Sequence, residues 1–125
     1  MNLFRPGNFT LASGKPSRFK IECDSLGTGD WIALAEMINS RAGRFGDVYS
    51  VPRGGIPLAN ALLHHVTTPR DRFPRLIVDD VWTTGASILN MMEPGDIGWV
   101  VFARTPIPER FPVRALFTLA EEPSP

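Results

Sequence analysis

Cysteine is almost missing from this chain. Cys23 stands alone, which excludes an intrachain disulfide and makes a reducing compartment the expected setting. With no partner and no motif around it, Cys23 reads as a small core residue at a strand end rather than a nucleophile. Excess charge of either sign is also missing. Thirteen basic residues face thirteen acidic ones, so the chain lacks the basic surplus with which duplex-binding proteins neutralise phosphates. No apolar run approaches membrane-spanning length, and Met1 to Thr10 shows no basic region followed by an apolar one. A soluble, cytoplasmic protein with no membrane and no duplex nucleic acid among its partners is therefore expected. Internal repeats and low-complexity linkers are missing too.

What is present is an ordinary globular composition. The chain has 125 residues, 43% hydrophobic and 21% charged, which suits one domain over 1–125 with a core of two or three layers. Lysine is scarce, with only Lys15 and Lys20 beside eleven arginines. Arginine grips planar phosphate and carboxylate groups in a fork, so a small anionic ligand fits this bias. Codon bias from a GC-rich genome accounts better for the bulk count, along with the twelve prolines and eleven glycines.

Those prolines and glycines cut the chain into short elements. Phe9 to Ala12 and Arg18 to Cys23 read as strands around a Ser13-Gly14-Lys15-Pro16 turn. Asp30 suits a helix N-cap, and Trp31, Leu34, Ala35 and Ile38 fall at the spacing of one apolar helical stripe that Gly43 ends. Asp47 to Val51 reads as a strand and Ile56 to His65 as a helix. Leu76-Ile77-Val78 suits a strand buried on both faces. A helix from about Ser87 to Met92 follows, then strands at Ile97 to Ala103 and Arg114 to Leu119. Strands alternating with helices predict an α/β domain: a mostly parallel sheet flanked by helices.

The chemistry concentrates in Leu76 to Ile88. A buried strand carries Asp79 and Asp80 to its carboxyl end, where ligands bind in parallel sheets. The turn Thr83-Thr84-Gly85-Ala86-Ser87 then opens a helix. Unpaired amides at a helix start attract an anion. Gly85 removes the Cβ that would keep backbone and anion apart. The hydroxyls of Thr83, Thr84 and Ser87 can donate to the same phosphate. Asp79 and Asp80, one sugar-length away, suit ribose hydroxyls or a hydrated magnesium ion. A capped helix start with solvent-facing acids is the plainer alternative. The thirteen-residue pattern is more specific than that.

Val51-Pro52-Arg53-Gly54-Gly55-Ile56 forms a second strand-loop-helix junction. Gly54 and Gly55 expose backbone amides, and Arg53 adds a forked cation. One loop for a phosphate and another for a pyrophosphate is a coherent pair.

The segment from Leu76 to Ile88 closely resembles the phosphoribosyl-pyrophosphate signature of type I phosphoribosyltransferases: an apolar run, two acids, then Thr-Gly-x-Ser/Thr. Pro52-Arg53-Gly54-Gly55 is similar to that family's pyrophosphate loop. Phe9-Thr10-Leu11-Ala12-Ser13-Gly14-Lys15-Pro16-Ser17 resembles the opening of the orotate members, which forms a hood over the base. The resemblance thus implies a hood over 1–27 and a core over 28–125, with Lys15 or Phe19 near the base. A hairpin with a solvated Lys and a buried Phe accounts for those two residues as well. The chain departs from the orotate pattern at Ala12, where many members carry a base-contacting Lys, and at Lys20, where an aromatic is usual. Thr83 stands where the 6-oxopurine members place an acid, which favours the orotate-like subgroup. Gly98 to Arg104 resembles the next core strand and its terminal Arg. Full-length orotate enzymes carry between the two loops a mobile, cation-rich segment. Here His64 to Phe73 takes its place.

The resemblance implies a magnesium-dependent transferase that moves the phosphoribosyl group of phosphoribosyl pyrophosphate to an orotate-like or pyrimidine base and releases pyrophosphate. Asp79, Asp80 and Arg53 would carry the chemistry, and Asp79 and Asp80 the metal, through water or the ribose hydroxyls. A homodimer is expected, as for many family members. Two alternatives stay open: a binding module that kept the ligand site without turnover, and an interaction protein on the inherited fold.

Overall fold

The computed structural model describes residues 4–10, 16–21 and 23–119; for 4–21 and Asp24 it describes the backbone course alone. Strands β1 (Phe4–Thr10) and β2 (Pro16–Ile21) pair antiparallel as a separate hairpin, with a register shift between Pro6 and Phe9. The remainder alternates helix and strand: α1 (Thr28–Ala42), β3 (Asp47–Ser50), α2 (Ile56–Leu62), β4 (Arg75–Trp82), α3 (Ala86–Met91), β5 (Ile97–Ala103) and β6 (Val113–Thr118). The last four strands form one parallel sheet in the order β3-β4-β5-β6. The expected α/β sheet is present.

Local chemistry explains most boundaries. Helix α1 buries Trp31, Ala35 and Ile38 along one stripe and stops at Gly43, whose φ of 74° a residue with a Cβ adopts only with strain. Its start lies earlier than the sequence suggests. Asp30 occupies the third helical position, and its carboxylate accepts from the Gly27 amide at 2.9 Å. It therefore closes the first turn from inside, rather than from the N-cap. Leu76, Ile77 and Val78 are almost fully buried, as a strand covered on both faces requires. Strand β4 runs on through Asp79, Asp80, Val81 and Trp82, because ladder bonds to β5 continue to Trp82 and Ala103. The irregular part of the turn expected after the acids is confined to Thr83–Gly85, and its last two residues, Ala86 and Ser87, already open α3.

Two apolar layers cover the sheet. On one face, Leu58 and Leu62 of α2 and Ala35 and Ile38 of α1 pack with Val48, Leu76, Val78 and Val101. On the other, Ile88 of α3 packs with Ile77, Val100, Ala103 and Val113, joined by Ile107 and Phe111. Residues 104–112 connect β5 to β6 as an irregular strap without a helix. Strands β3, β4 and β5 lie in sequential order, yet the α2 and α3 crossovers pass over opposite faces. The two crossovers are therefore of opposite hand, and one departs from the usual right-handed rule. This has a direct consequence at the carboxyl ends of the strands. The loop after β3 turns toward one face and the loop after β4 toward the other. They flank the carboxyl ends of β3 and β4 from opposite faces, the arrangement that frames the ligand crevice of doubly wound sheets.

The amino ends of the strands are tied by charge. The buried Asp96 carboxylate accepts from Arg75 Nε at 2.9 Å and Nη2 at 2.5 Å, and from the Glu93 amide at 2.9 Å. The Arg75 guanidinium beside it holds Asp96 below the usual carboxylate range. Arg75 also lies 5.0 Å above the Tyr49 ring. A carboxylate with a depressed folded pKa stabilises above its unfolded pKa and loses that contribution as pH falls through the folded value. Asp96→Ala is therefore expected to lower stability by about 1–3 kcal/mol near pH 7, with a smaller loss near pH 3. Urea unfolding at both pH values measures this; equal losses would contradict it.

Candidate functional site

The two glycine-bearing loops, distant in sequence, both lie at the carboxyl ends of the strands, where Gly54 meets the Asp80 carboxylate. After β3, the chain turns tightly through Val51 to Gly55. The Val51 amide donates to the Val78 carbonyl at 2.9 Å, the Gly55 amide to the Val51 carbonyl at 3.1 Å, and the Ile56 amide to the Arg53 carbonyl at 3.0 Å. The Pro52–Arg53 peptide bond is cis. Gly55 presses against β4: a Cβ there would lie 2.8 Å from the Val78 carbonyl oxygen and 3.2 Å from the Asp79 Cα. At Gly54 a Cβ would overlap the Asp80 carboxylate. Gly55 is thus required by its close approach to the backbone, and a side chain at Gly54 would displace the Asp80 carboxylate, reasons invisible in the sequence. The Gly55 amide closes its own turn. Of the three residues singled out in this loop, Arg53 and Gly54 keep amides without a backbone partner among the described residues. The Arg53 side chain is exposed.

The acids differ in environment. Asp79 is buried at 8% exposure, and Asp80 is half-buried. The Asp80 amide donates to Asp79 Oδ1 at 2.8 Å, and the Val81 amide to Asp80 Oδ1 at 2.8 Å. Burial, followed by the neighbouring Asp80 carboxyl, pushes the Asp79 pKa up to about 8. A dry carboxyl beside a second one is a place where a cation or a hydroxyl donor gains the most. That donor set fits a magnesium ion whose remaining ligands are water and ligand oxygens. No cluster of three or more metal-ligating side chains occurs among the described residues, so any metal here depends on such oxygens.

Thr83 to Ser87 follow. Thr84, Ala86 and Ser87 are exposed, whereas Gly85 is buried with φ 84°. Its Cα rests on the Trp82 indole so closely that a Cβ would overlap the ring. The Ala86 amide lies 3.4 Å from Thr84 Oγ1. Helix α3 spans only Ala86–Met91, so its dipole is small, and the hydroxyls and individual amides of the turn count for more. The turn is open to solvent at Thr84, Ala86 and Ser87.

Sequence reasoning missed Trp82, although a large aromatic directly before Thr-Thr-Gly was a visible signal. It also missed that His64, His65, Arg70 and Arg72 lie at the wrong end of the sheet to serve the crevice of their own chain. Arg70 pairs with Asp47 at the start of β3, and the Thr67 amide donates to the Phe45 carbonyl at 2.8 Å. Arg104, at the end of β5, is buried, and its amide donates to the Trp82 carbonyl at 2.9 Å. Lys15 and the side chain of Phe19 lie outside the described residues, as do Ala12 and the Lys20 side chain. A cavity of about 980 Å³ lies away from the crevice, around the start of β5 and β6, lined by Arg41, Gly98, Trp99, Phe111, Val113 and Arg114 among others. None of the residues discussed above for ligand binding reaches it.

No protein-family model matches the chain, and no curated protein is similar to it. Solved structures are. Orotate phosphoribosyltransferase from Aeropyrum pernix superposes with a TM-score of 0.75 at 22% identity, over 94% of this chain and 89% of that one. Leishmania donovani UMP synthase gives 0.75 at 18% identity, over 94% of this chain and 34% of the other, longer one. Mycobacterium tuberculosis orotate phosphoribosyltransferase, solved with Fe(III) dicitrate, gives 0.66 at 19% identity, over 93% and 89%. The chain therefore has the type I phosphoribosyltransferase fold. No helix among the described residues is long and apolar enough to cross a membrane.

Proposed function

We propose that this protein is a phosphoribosyltransferase that binds phosphoribosyl pyrophosphate across the crevice between β3 and β4. The observation that carries the reading is the convergence of the two loops: Gly54 and Gly55 abut the Asp79–Asp80 pair, and the 83–87 turn continues from it. Thr83, Thr84, Gly85, Ala86 and Ser87 hold the 5-phosphate through hydroxyls and amides. Asp79 and Asp80 accept from the ribose hydroxyls. Arg53 and the amide of Gly54 hold the pyrophosphate. Asp79 and Asp80 would hold a magnesium ion through water or the ribose hydroxyls, and it would supply positive charge to the departing group.

The reaction breaks the bond from ribose C1 to the pyrophosphate oxygen and forms one from C1 to a nitrogen of the base. The nitrogen loses its proton to solvent, and pyrophosphate leaves with the bonding pair. Little covalent work falls to the protein; it positions the two reactants and stabilises charge at named atoms. The similarity to orotate enzymes favours a pyrimidine or orotate-like acceptor. A homodimer in the cytoplasm completes the reading.

One observation favours a second reading. The residues that replace a cation-rich closing segment, His64 to Arg72, sit at the opposite end of the sheet. A site that stays open suits a module that binds the ligand without turning it over. Pyrophosphate release from phosphoribosyl pyrophosphate, with magnesium and a panel of pyrimidine bases, separates the two. Release with at least one base is expected. Thermal stabilisation by the ligand without release would point to the binding module, and no stabilisation at all would reject both.

A further inference from the structure

We infer that Trp82 is a positioning residue for the phosphate loop: its indole is the floor on which Gly85 rests, and it sets where the 83–87 turn meets a phosphate. The inference rests on the phosphate-binding reading above and extends it to a side chain that touches no ligand.

Three observations carry it. Trp82 ends β4 and is 3% exposed. The far edge of its six-membered ring (Cη2, Cζ2 and Cζ3) lies directly against Gly85, closer than any side chain at that position could tolerate. The ring is also held in place on its other sides. Ile88, Val100 and Ala103 share its apolar cluster. The Phe111 ring of the 104–112 strap meets it with centroids 5.9 Å apart at 49°. Its carbonyl takes the Arg104 amide. A ring fixed by α3, β5 and the strap cannot retreat, so the turn above it has one height.

The acid pair is placed by different means. Asp79 pairs with Val100 along the sheet ladder, and Asp80 packs against Gly54. The Gly54–Asp80 contact does not involve the indole, whereas Val100 and Val51 share its apolar cluster. Truncating Trp82 should therefore loosen the phosphate arm of the crevice and leave the pyrophosphate arm in place, a split that general loss of stability does not produce.

The test uses the full chain and two probes, ribose 5-phosphate and magnesium pyrophosphate, titrated by calorimetry at a temperature well below each variant's melting point. Wild-type protein is expected to bind both. Trp82→Ala should weaken ribose 5-phosphate at least ten-fold and change pyrophosphate less than two-fold, and Trp82→Phe should recover most of the loss. Equal weakening of both probes, or unchanged ribose 5-phosphate binding, would overturn the inference. Should Trp82→Ala not fold, the Trp31→Phe, Trp99→Phe variant, in which Trp82 is the sole indole, gives a second readout. Its emission should shift with ribose 5-phosphate and not with pyrophosphate; no shift despite binding counts against the inference. Failure of wild-type protein to bind ribose 5-phosphate would remove the phosphate-loop reading and this inference together. Binding of that probe without the Trp82 dependence would remove this inference alone.

Discussion

Asn in place of Asp79 should make the ligand-free protein more stable at pH 8 and at the same time sharply slow pyrophosphate release. The two effects have one cause. Burial and the adjacent Asp80 raise the Asp79 pKa from 3.8 to about 8. Below about pH 4 the carboxyl is protonated in both folded and unfolded chains, and its burial is least unfavourable. Between about 4 and 8 the unfolded chain gives up the proton while the folded chain retains it, so stability falls as pH rises. Above about 8 both are ionised and the loss is complete. Asn keeps an oxygen for the Asp80 amide, which donates to Oδ1 at 2.8 Å, and never ionises. A gain of about 2 kcal/mol at pH 8 is expected, on the order of what a desolvated charge costs after relaxation. The same change removes the acceptor proposed for ribose and magnesium, and turnover should drop at least ~100-fold. Urea unfolding from pH 4 to 9 without magnesium, beside a pyrophosphate assay, measures both. A wild-type stability that does not decline over that range would contradict the burial argument. Full activity in Asp79→Asn would contradict the site.

Gly85→Ala should be among the most destabilising single-methyl additions in the chain. At φ 84° a Cβ meets its own backbone, which costs about 1–2 kcal/mol. Here the methyl also enters the Trp82 ring, and overpacking adds about 1–3 kcal/mol. A total near 3 kcal/mol is expected in thermal or urea unfolding. The two parts separate in a double-mutant cycle. With Trp82→Ala already present, the methyl finds room, and adding Gly85→Ala should cost only the backbone part, about 1–2 kcal/mol. An unchanged cost in that background would mean that the indole is not what confines Gly85, and tolerance of Ala in the wild-type background would dismiss the packing account altogether.

Much of this was legible in the chain before any coordinates. The stripe of Trp31, Ala35 and Ile38 specified a helix because apolar residues at that spacing share one face. Leu76-Ile77-Val78 specified a strand covered on both sides, and Ile97 to Ala103 matched β5 to the residue. Other boundaries slipped for physical reasons. Asp30 was read as an N-cap because an acid at either end of the first turn satisfies the same amides. Strand β4 ran past its acids because a ladder to β5 is long-range and leaves no local mark. The hand of the α2 crossover was illegible for the same reason.

Local chemistry alone thus marked the residues of the candidate site: two acids after an apolar strand, and glycines beside hydroxyls and an arginine. Such features are set by side-chain identity and by neighbours a few positions away. Tertiary structure alone decided that Gly54 faces Asp80, that Asp79 rather than Asp80 loses its water, that Trp82 lies beneath Gly85, and that His64 to Arg72 belong to the far end. Each of these depends on which strand lies beside which and on which face a crossover takes, and both are settled by packing of the whole sheet.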